Sequence, residues 1–199
     1  MENTTAISQV SVNSAAAKEL TKNTGFLNPG IVVREFDLKP GEAVADFGAG
    51  AGHFTIPMAK AVGHTGKIYA LDLQKHALNL IKSRAKIEHL LNIDYVWADL
   101  EMSSGSKLKD ATVNFVIISN ILFQAEKRFE ILKEAYRILK SGGKMAVFEW
   151  DQSNFSGGPP VNLRVPPIQV KTLAQDAGFI FEKEFNAGSH HYGFLFKKP

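Results

Sequence analysis

Short runs of β-type residues alternate with helical patterns along most of the chain, and this alternation constrains the fold more than any other feature. Val, Ile, Phe and Tyr are concentrated in five runs, several of them bounded by Gly or Asp. These runs occupy residues 42–47, 66–72, 92–99, 112–120 and 143–151. They are apolar rather than strictly alternating, which is typical of strands covered on both faces. The pattern therefore predicts a doubly wound α/β sheet.

Two segments between these runs have the helical spacing of apolar residues. In 75–91 the predicted buried stripe consists of Leu80, Ile81, Ile87, Leu90 and Leu91. In 126–140 it consists of Phe129, Leu132, Tyr136 and Leu139. The sequence "KSGG" at 140–143 then provides a basic last turn and glycines that predict the end of this helix.

The pattern changes after residue 150, where a Gly/Pro-rich connection begins. A short helix over 170–177 follows, with Gly178 at its end, and then "FIFEKEF" and "HYGFLFKK", which are joined by "NAGSH". These two runs predict an antiparallel hairpin. We therefore expect a single-domain Rossmann-like sheet of seven strands, mostly parallel with an antiparallel C-terminal strand. Residues 1–30 are polar and predict an N-terminal arm or lid in front of a domain at 31–199.

Composition excludes several classes of site. The chain of 199 residues contains no cysteine, which excludes disulfides, thiolate metal sites and a cysteine nucleophile. The histidines lack H-x-H or H-x-x-x-H spacing, so no metal site is predicted. No apolar run approaches the roughly 20 residues of a membrane helix. The N-terminus lacks the features of a secretory signal, which predicts a cytoplasmic protein.

The sequence "VADFGAGAGHF" at 44–54 places three glycines directly behind the first run. Glycines at the carboxyl end of a parallel strand let the main chain approach a ligand closely. His53 stands where the dinucleotide fingerprint G-x-G-x-x-G has its third glycine. Asp46, just before the loop, would repel a phosphate and suits a ligand that has an ammonium group.

Two more acids end the next two runs. Asp72 follows Gly52 by twenty residues, where a carboxylate can accept both hydroxyls of a ribose. Asp99 ends the third run, where it could accept from the exocyclic amine of an adenine. Either acid alone could be a turn cap. Together with Asp46 they predict a ligand with an amine, a ribose and an adenine, and little phosphate.

At this point the chain resembles a known family. The segments "VADFGAGAGHFTIPMAKAVGHTGKIYALDLQ", "VWADLE", "NFVIISNILFQ" and "ILKSGGKMAVFEWD" are similar to successive motifs of class I S-adenosylmethionine-dependent methyltransferases. The branch it most resembles contains the ubiquinone/menaquinone C-methyltransferases. The resemblance covers roughly residues 30 to 197 and implies S-adenosyl-L-methionine as cofactor.

The resemblance also implies which residues bind that cofactor. Asp46, Gly48 and Gly50 would face its methionine part, and Asn120 would lie near the sulfonium. The full implied set is Asp46, Phe47, Gly48, Ala49, Gly50, Asp72, Leu73, Asp99, Leu100 and Asn120. Within it, Asp72 would hold the ribose, and Leu73, Asp99 and Leu100 would form the adenine pocket.

Methyl transfer from a sulfonium is an in-line displacement that requires no universal base. The candidate general bases at the expected mouth of the site are Glu149, Asp151, His53, His190 and His191. Gln124 is a candidate for orienting the acceptor. Each also has a simpler account as a cap, a surface residue or a loop contact. Aromatic residues that could line an acceptor pocket are Phe26, Phe123, Trp150 and Phe155.

The sequence says less about the identity of the methyl acceptor than about the cofactor. A small apolar or aromatic molecule is the first expectation, and a protein lysine is the second. A catalytically silent S-adenosylmethionine-binding module also stays open, since no obligatory catalytic residue exists to be missing. A nicotinamide-dependent oxidoreductase is disfavoured because His53 replaces the third glycine. No appended basic domain supports nucleic acid as a partner.

Overall fold

The computed structural model describes residues 28–153 and 155–199. The predicted arm or lid at 1–30 therefore lies almost entirely outside the described residues, as does Phe26, and it stays a prediction. The first described element is a short helix, α1 (Pro29–Glu35). It begins within the last two residues predicted for the arm. The Asn28 side chain begins this helix by accepting the Gly30 and Ile31 main-chain N–H groups at 3.0 and 3.3 Å.

Seven strands and four further α-helices follow in the described part of the chain. In chain order they are β1 (Ala43–Phe47), α2 (Thr55–Val62), β2 (Lys67–Asp72), α3 (Lys75–Ile87), β3 (Ile93–Trp97), β4 (Val113–Ser119), α4 (Arg128–Ile138), β5 (Leu139–Trp150), α5 (Pro167–Asp176), β6 (Ile180–Phe185) and β7 (His191–Lys197). A single 3-10 turn, Val161–Leu163, lies between β5 and α5.

The seven strands form one sheet in the order β3-β2-β1-β4-β5-β7-β6. Strands β1 to β5 are parallel to one another, and β7 is antiparallel to both β5 and β6. This arrangement confirms the predicted doubly wound sheet and its antiparallel C-terminal strand. The strand order reverses between β1 and β4, which makes their carboxyl ends the place where such sheets bind ligands.

Each face of the sheet has its own apolar core. Val44, Ile68 and Ile117 belong to one core, and their chain neighbours Ala45 and Ile118 belong to the other. Successive side chains of a strand point to opposite faces, so both sets are buried only when helices cover both sides. This double burial explains why the strand sequences are apolar throughout.

Helix α3 differs from the prediction. It ends at Ile87, and its sheet-facing side is made of Ala77, Leu78, Ile81 and Ala85. The predicted stripe was wrong for Leu80, Ile87 and Leu91, which are exposed, Leu91 at 95%. The face next to the sheet combines two alanines with Leu78 and Ile81, and Leu80 and Ile87 lie outside it.

Helix α4 also ends earlier than predicted, at Ile138. Leu139 is already extended, with ψ 138°, and pairs with Val113 of β4. The prediction that "KSGG" ends the helix was therefore wrong by two residues, because the strand pairing with β4 takes over first. No helix within 28–153 or 155–199 combines the length and apolar character needed to cross a membrane.

Candidate functional site

Two adjoining cavities lie at the carboxyl ends of the parallel strands. The first, of about 330 Å³, lies over the loop after β1, and the second, of about 410 Å³, lies over the ends of β2 and the loop after β4. Gly48, Gly50, Ser119 and Asn120 line both cavities. We refer to them as the first and second cavities.

Nine of the ten sequence-predicted cofactor residues line at least one of these cavities. Asp46 and Ala49 line the first, and Gly48, Gly50 and Asn120 line both. Those lining the second alone are Asp72, Leu73, Asp99 and Leu100. Phe47 lines neither, because its side chain is fully buried in one core of the sheet.

The loop after β1 depends on glycine for its close approach to neighbouring elements. Gly48 has φ +71°, and a Cβ there would lie 2.2 Å from Ile121 Cγ2. Gly50 has φ +51° and its N–H donates to Asp72 Oδ2 at 2.8 Å. A side chain at Gly48 would displace the loop after β4, so this glycine sets the shape of the wall that the two cavities share.

Asp72 connects the two strand ends that form the second cavity. Its Oδ2 accepts from Gly50, and its Oδ1 accepts from the Gln74 N–H at 2.7 Å. A carboxylate has about four lone-pair positions, and these two hydrogen bonds use only part of them. The remaining capacity suits the vicinal hydroxyls of a ribose.

Asp46 is almost completely buried, at 1% exposure, beside the first cavity. Its Oδ2 accepts a hydrogen bond from Thr55 Oγ1 at 2.5 Å. Burial raises the pKa of Asp46 to about 7; the charge of Asp72 adds to the rise, and the Thr55 hydrogen bond opposes it. A buried carboxylate whose hydrogen bonds come from Thr55 alone is suited to receive a cation. Thr55 carries no sequence signal of this role, because any small residue can stand at the start of a helix.

The wall of the second cavity is apolar on two sides. Leu73 is exposed at 61%, and the Trp97 indole N–H donates to the Leu73 carbonyl at 2.8 Å. Leu100 is buried in the floor, and Asp99 lies beside it with Oδ1 accepting the Glu101 N–H at 3.0 Å. Asp99 is thus both a turn cap and a cavity residue. The arrangement suits a flat ring between two leucines.

The candidate general bases fall into different places. Glu149 is fully buried and lines neither cavity; its Oε1 accepts the Leu122 N–H at 2.6 Å. Burial raises the pKa of Glu149 to about 7. The expectation that Glu149 stands at the mouth was therefore wrong, because its side chain holds the loop after β4. Asp151 accepts the Ser153 N–H at 3.0 Å, as a turn cap does.

Three further candidates lie close to the cavities. His53 lines the first cavity and Gln124 lines the second. His191 Nε2 lies 3.1 Å from Asn120 Nδ2, which places its ring behind the residue shared by both cavities. No group of three or more metal-ligating side chains occurs among the described residues.

The three described aromatic residues that were predicted to line an acceptor pocket line neither cavity, and Phe26 stays a prediction outside the described residues. Trp150 and Phe155 stack on each other at 6.2 Å and line neither cavity, and Phe123 packs on a core of the sheet. The aromatic residues that line the first cavity are Phe54 and Phe148, with ring centroids 4.8 Å apart. Their spacing in the chain gives no indication of this contact.

Comparison with known proteins places this geometry in a family. Demethylmenaquinone methyltransferase of Staphylococcus saprophyticus is 31% identical over 152 residues, which are 76% of this chain and 61% of that protein. Ubiquinone/menaquinone biosynthesis C-methyltransferase UbiE of Hydrogenovibrio crunogenus is 31% identical over 116 residues, which are 58% of this chain and 44% of that protein. The chain spans about half the length of the curated relatives it matches.

A solved structure, a SAM dependent methyltransferase from Aquifex aeolicus, superimposes with a TM-score of 0.80 at 25% identity. The superposition covers 95% of this chain and 100% of that one. The model of the ubiE/COQ5 methyltransferase family matches residues 30–157. That match extends from the second residue of α1 past the end of β5 and includes every residue that lines the two cavities except Pro29, so the chain belongs to the ubiE/COQ5 methyltransferase family.

Proposed function

We propose that this protein binds S-adenosyl-L-methionine across the two cavities and transfers its methyl group to a small apolar or aromatic acceptor. One observation carries the proposal: the cavities meet at Asn120, with the buried Asp46 on one side and Asp72 and Asp99 on the other. An adenosyl sulfonium has an ammonium group at one end and a nucleoside at the other, which matches this distribution of acids.

The residues present fit each part of that cofactor. Asp46 would hold the ammonium group, and Asp72 would accept from the ribose hydroxyls. The adenine would lie between Leu73 and Leu100, with Asp99 at its amine. The absence of a Cβ at Gly48 and Gly50 leaves the main chain bare where the ligand would cross from one cavity to the other.

When bound, the cofactor supplies an electrophilic methyl group on a good neutral leaving group. The chain's own task is to position the acceptor in line with that methyl and to exclude water from it. Pro29, Phe54 and Phe148 give the first cavity an apolar lining suited to this task. The described residues provide no buried base at the cavities other than Asp46, which the ammonium group would occupy.

A quinone-type ring in its reduced, quinol form is the first candidate acceptor: a ring carbon of the quinol attacks the methyl, the C–S bond breaks, and that carbon loses its proton to water. Two features support it: the aromatic lining of the first cavity, and the names of relatives that act on demethylmenaquinone and on ubiquinone or menaquinone precursors. Because the chain covers only about half of those relatives, the acceptor has to be tested directly.

Calorimetry with S-adenosylmethionine, S-adenosylhomocysteine and NAD tests the cofactor proposal. We expect micromolar binding of the first two and none of NAD; binding of NAD alone would refute the proposal. Transfer of labelled methyl to a soluble demethylnaphthoquinol, with a lysine-containing peptide in parallel, then tests the acceptor. Labelling of the peptide alone would favour the protein-side-chain alternative, and cofactor binding without transfer to any acceptor in a cell extract would favour the silent module.

The ribose assignment has its own test. Asp72→Ala removes the acceptor of two main-chain N–H groups and of the proposed ribose hydroxyls, so we expect cofactor affinity to fall about tenfold or more. Asp110→Ala is the control, because Asp110 is an exposed acid remote from both cavities. Unchanged affinity in a folded Asp72→Ala protein would reject the assignment.

A further inference from the structure

Asn120 has an unusual main-chain conformation at the point where the two cavities meet. It directly follows β4 and has φ +52°, in the left-handed region that asparagine tolerates better than most residues. Its N–H donates to the Phe148 carbonyl of β5 at 3.0 Å. The backbone of Asn120 is thus fixed by the neighbouring strand, and its side chain is presented where both cavities are open to it.

The two ends of the Asn120 amide have different surroundings. Its Nδ2 lies 3.1 Å from His191 Nε2, at the first residue of β7. Its Oδ1 is buried and has no hydrogen-bond partner within the described part of the chain. Buried polar atoms nearly always have a partner, so an exception at a cavity wall points to a group that acts on a ligand.

His191 is held rigidly behind Asn120. Its ring packs on Trp150 at 4.1 Å and on Phe148 at 5.8 Å between centroids. Burial lowers the pKa of His191 to about 4; Asp151 opposes this shift, and His190 and Arg164 add to it. The imidazole is therefore neutral near pH 7 and can accept a hydrogen bond through an unprotonated Nε2.

We propose that His191 is a positioning residue that acts through Asn120: it accepts the Asn120 amide N–H and thereby directs the amide oxygen toward the junction of the two cavities. The inference rests on the proposed function and adds a residue of β7 to it. The oxygen carries partial negative charge, and the sulfonium of the cofactor is positive with polarised methyl C–H bonds. An oxygen fixed at this point stabilises the positive charge of the bound sulfonium and holds the methyl group of the cofactor through C–H···O contacts.

This arrangement has a consequence that does not depend on the acceptor. S-adenosylhomocysteine keeps the ammonium group but lacks the methyl group and the positive charge of the sulfonium. The oriented oxygen therefore strengthens the binding of S-adenosylmethionine alone. The protein should therefore discriminate between the two ligands partly through the Asn120–His191 pair. A purely structural role of His191 would change both affinities alike.

The test is calorimetry with both ligands on the wild type and four variants. His191→Phe keeps the ring that packs on Trp150 but removes its nitrogens, and Asn120→Gly removes the amide while keeping the left-handed backbone accessible. In each we expect the ratio of S-adenosylmethionine to S-adenosylhomocysteine affinity to fall about tenfold. The double variant should fall no further, because the two residues act as one unit. His76→Phe, at an exposed position of α3, is the control and should leave the ratio unchanged.

Other results overturn the inference. An unchanged ratio in Asn120→Gly, or an additive loss in the double variant, would show that His191 does not act through the amide. Equal weakening of both ligands in His191→Phe would assign it a structural role. If His191→Phe does not fold, His191→Gln, which retains an acceptor, should preserve the ratio, and its loss there would refute the pair. A wild-type protein that binds neither ligand would instead reject the proposed function itself.

Discussion

Asp46 has a protonation state that should control cofactor binding. Burial raises its pKa to about 7, so a growing fraction is neutral as the pH falls below that value. An ammonium group binds the ionised form, so affinity for S-adenosylmethionine should rise about tenfold between pH 5.5 and 7. Within that range the amino group of the ligand stays protonated. Calorimetry across the range measures the effect.

Asp46→Asn is the matched variant for this measurement. It keeps an oxygen that can accept from Thr55 Oγ1 but has no charge to titrate. We expect weaker binding that no longer varies with pH over this range. A wild-type affinity that is constant from pH 5.5 to 7 would contradict the assignment of Asp46 to the ammonium group.

At the same scale, sequence predicts some site residues and misses others for a physical reason. Asp46 is the last residue but one of β1 and Asp72 is the last of β2, and the ends of parallel strands meet at one edge of a sheet. Phe47 is adjacent to Asp46 in the chain, but successive strand residues point to opposite faces, so its side chain enters a core instead. Thr55 and Trp97 contribute through single hydrogen bonds whose partners only the folded chain brings together.

The connection between β5 and α5 is organised by one buried cation. The Arg164 guanidinium donates to four main-chain carbonyls, at distances of 2.6 to 3.0 Å, which belong to Asp151, Ser153, Phe155 and Pro159. It also lies 5.8 Å from the centre of the Trp150 ring. Carbonyls of a connection that lacks regular secondary structure are satisfied in this way, and the connection takes one shape.

Arg164→Lys should loosen this connection while leaving the sheet intact. A lysine keeps the charge but cannot reproduce the planar set of donors, so we expect a loss of about 2 kcal/mol in the free energy of unfolding. Chemical denaturation measures that loss, and limited proteolysis should show faster cleavage within 151–160. Arg34→Lys, on the exposed side of α1, is the control. Equal stability and equal cleavage in both variants would refute this role of Arg164.

Elements as such are predicted better than their faces and ends. Each of the five β-type runs and each half of the C-terminal hairpin coincides with an observed strand, although β5 begins four residues before its run, because burial on both sides requires apolar side chains. The buried face of α3 was predicted only in part, because apolar residues occur on both sides of this helix and its packing against the sheet selects Ala77, Leu78, Ile81 and Ala85. The end of α4 is decided by pairing of Leu139 with β4, a contact that local sequence does not encode.

For the whole molecule, the predicted topology follows from the right-handed connections of parallel strands and from the change of pattern after residue 150. The electrostatics of the interior could not be predicted in the same way. Asp46 and Glu149 are both buried without a cationic partner among the described residues, and burial raises the pKa of each to about 7. Glu149, on β5, accepts from the loop after β4 behind the site, and Asp46 lines the first cavity.

These two carboxyls should make the protein less stable as the pH rises. Their pKa values are raised from the ordinary 3.8 and 4.5, so between about pH 4 and 7 the folded chain holds protons that the unfolded chain releases. The stabilisation from those protons is present at low pH and is lost as the pH rises through 7. Asp46→Asn and Glu149→Gln are neutral at every pH and escape this loss.

The free energy of unfolding of each variant, measured relative to that of the wild type, should therefore rise by about 2 kcal/mol between pH 5 and pH 8. The depressed pKa of His191 acts in the opposite direction below pH 6.5, but it is common to all three proteins and cancels in the comparison. Urea denaturation at both pH values measures the difference, with the exposed Asp110→Asn as control. If the difference between a variant and the wild type stays constant from pH 5 to 8, the carboxyl that the variant replaces is ionised throughout that range in the folded protein, which would refute its raised pKa.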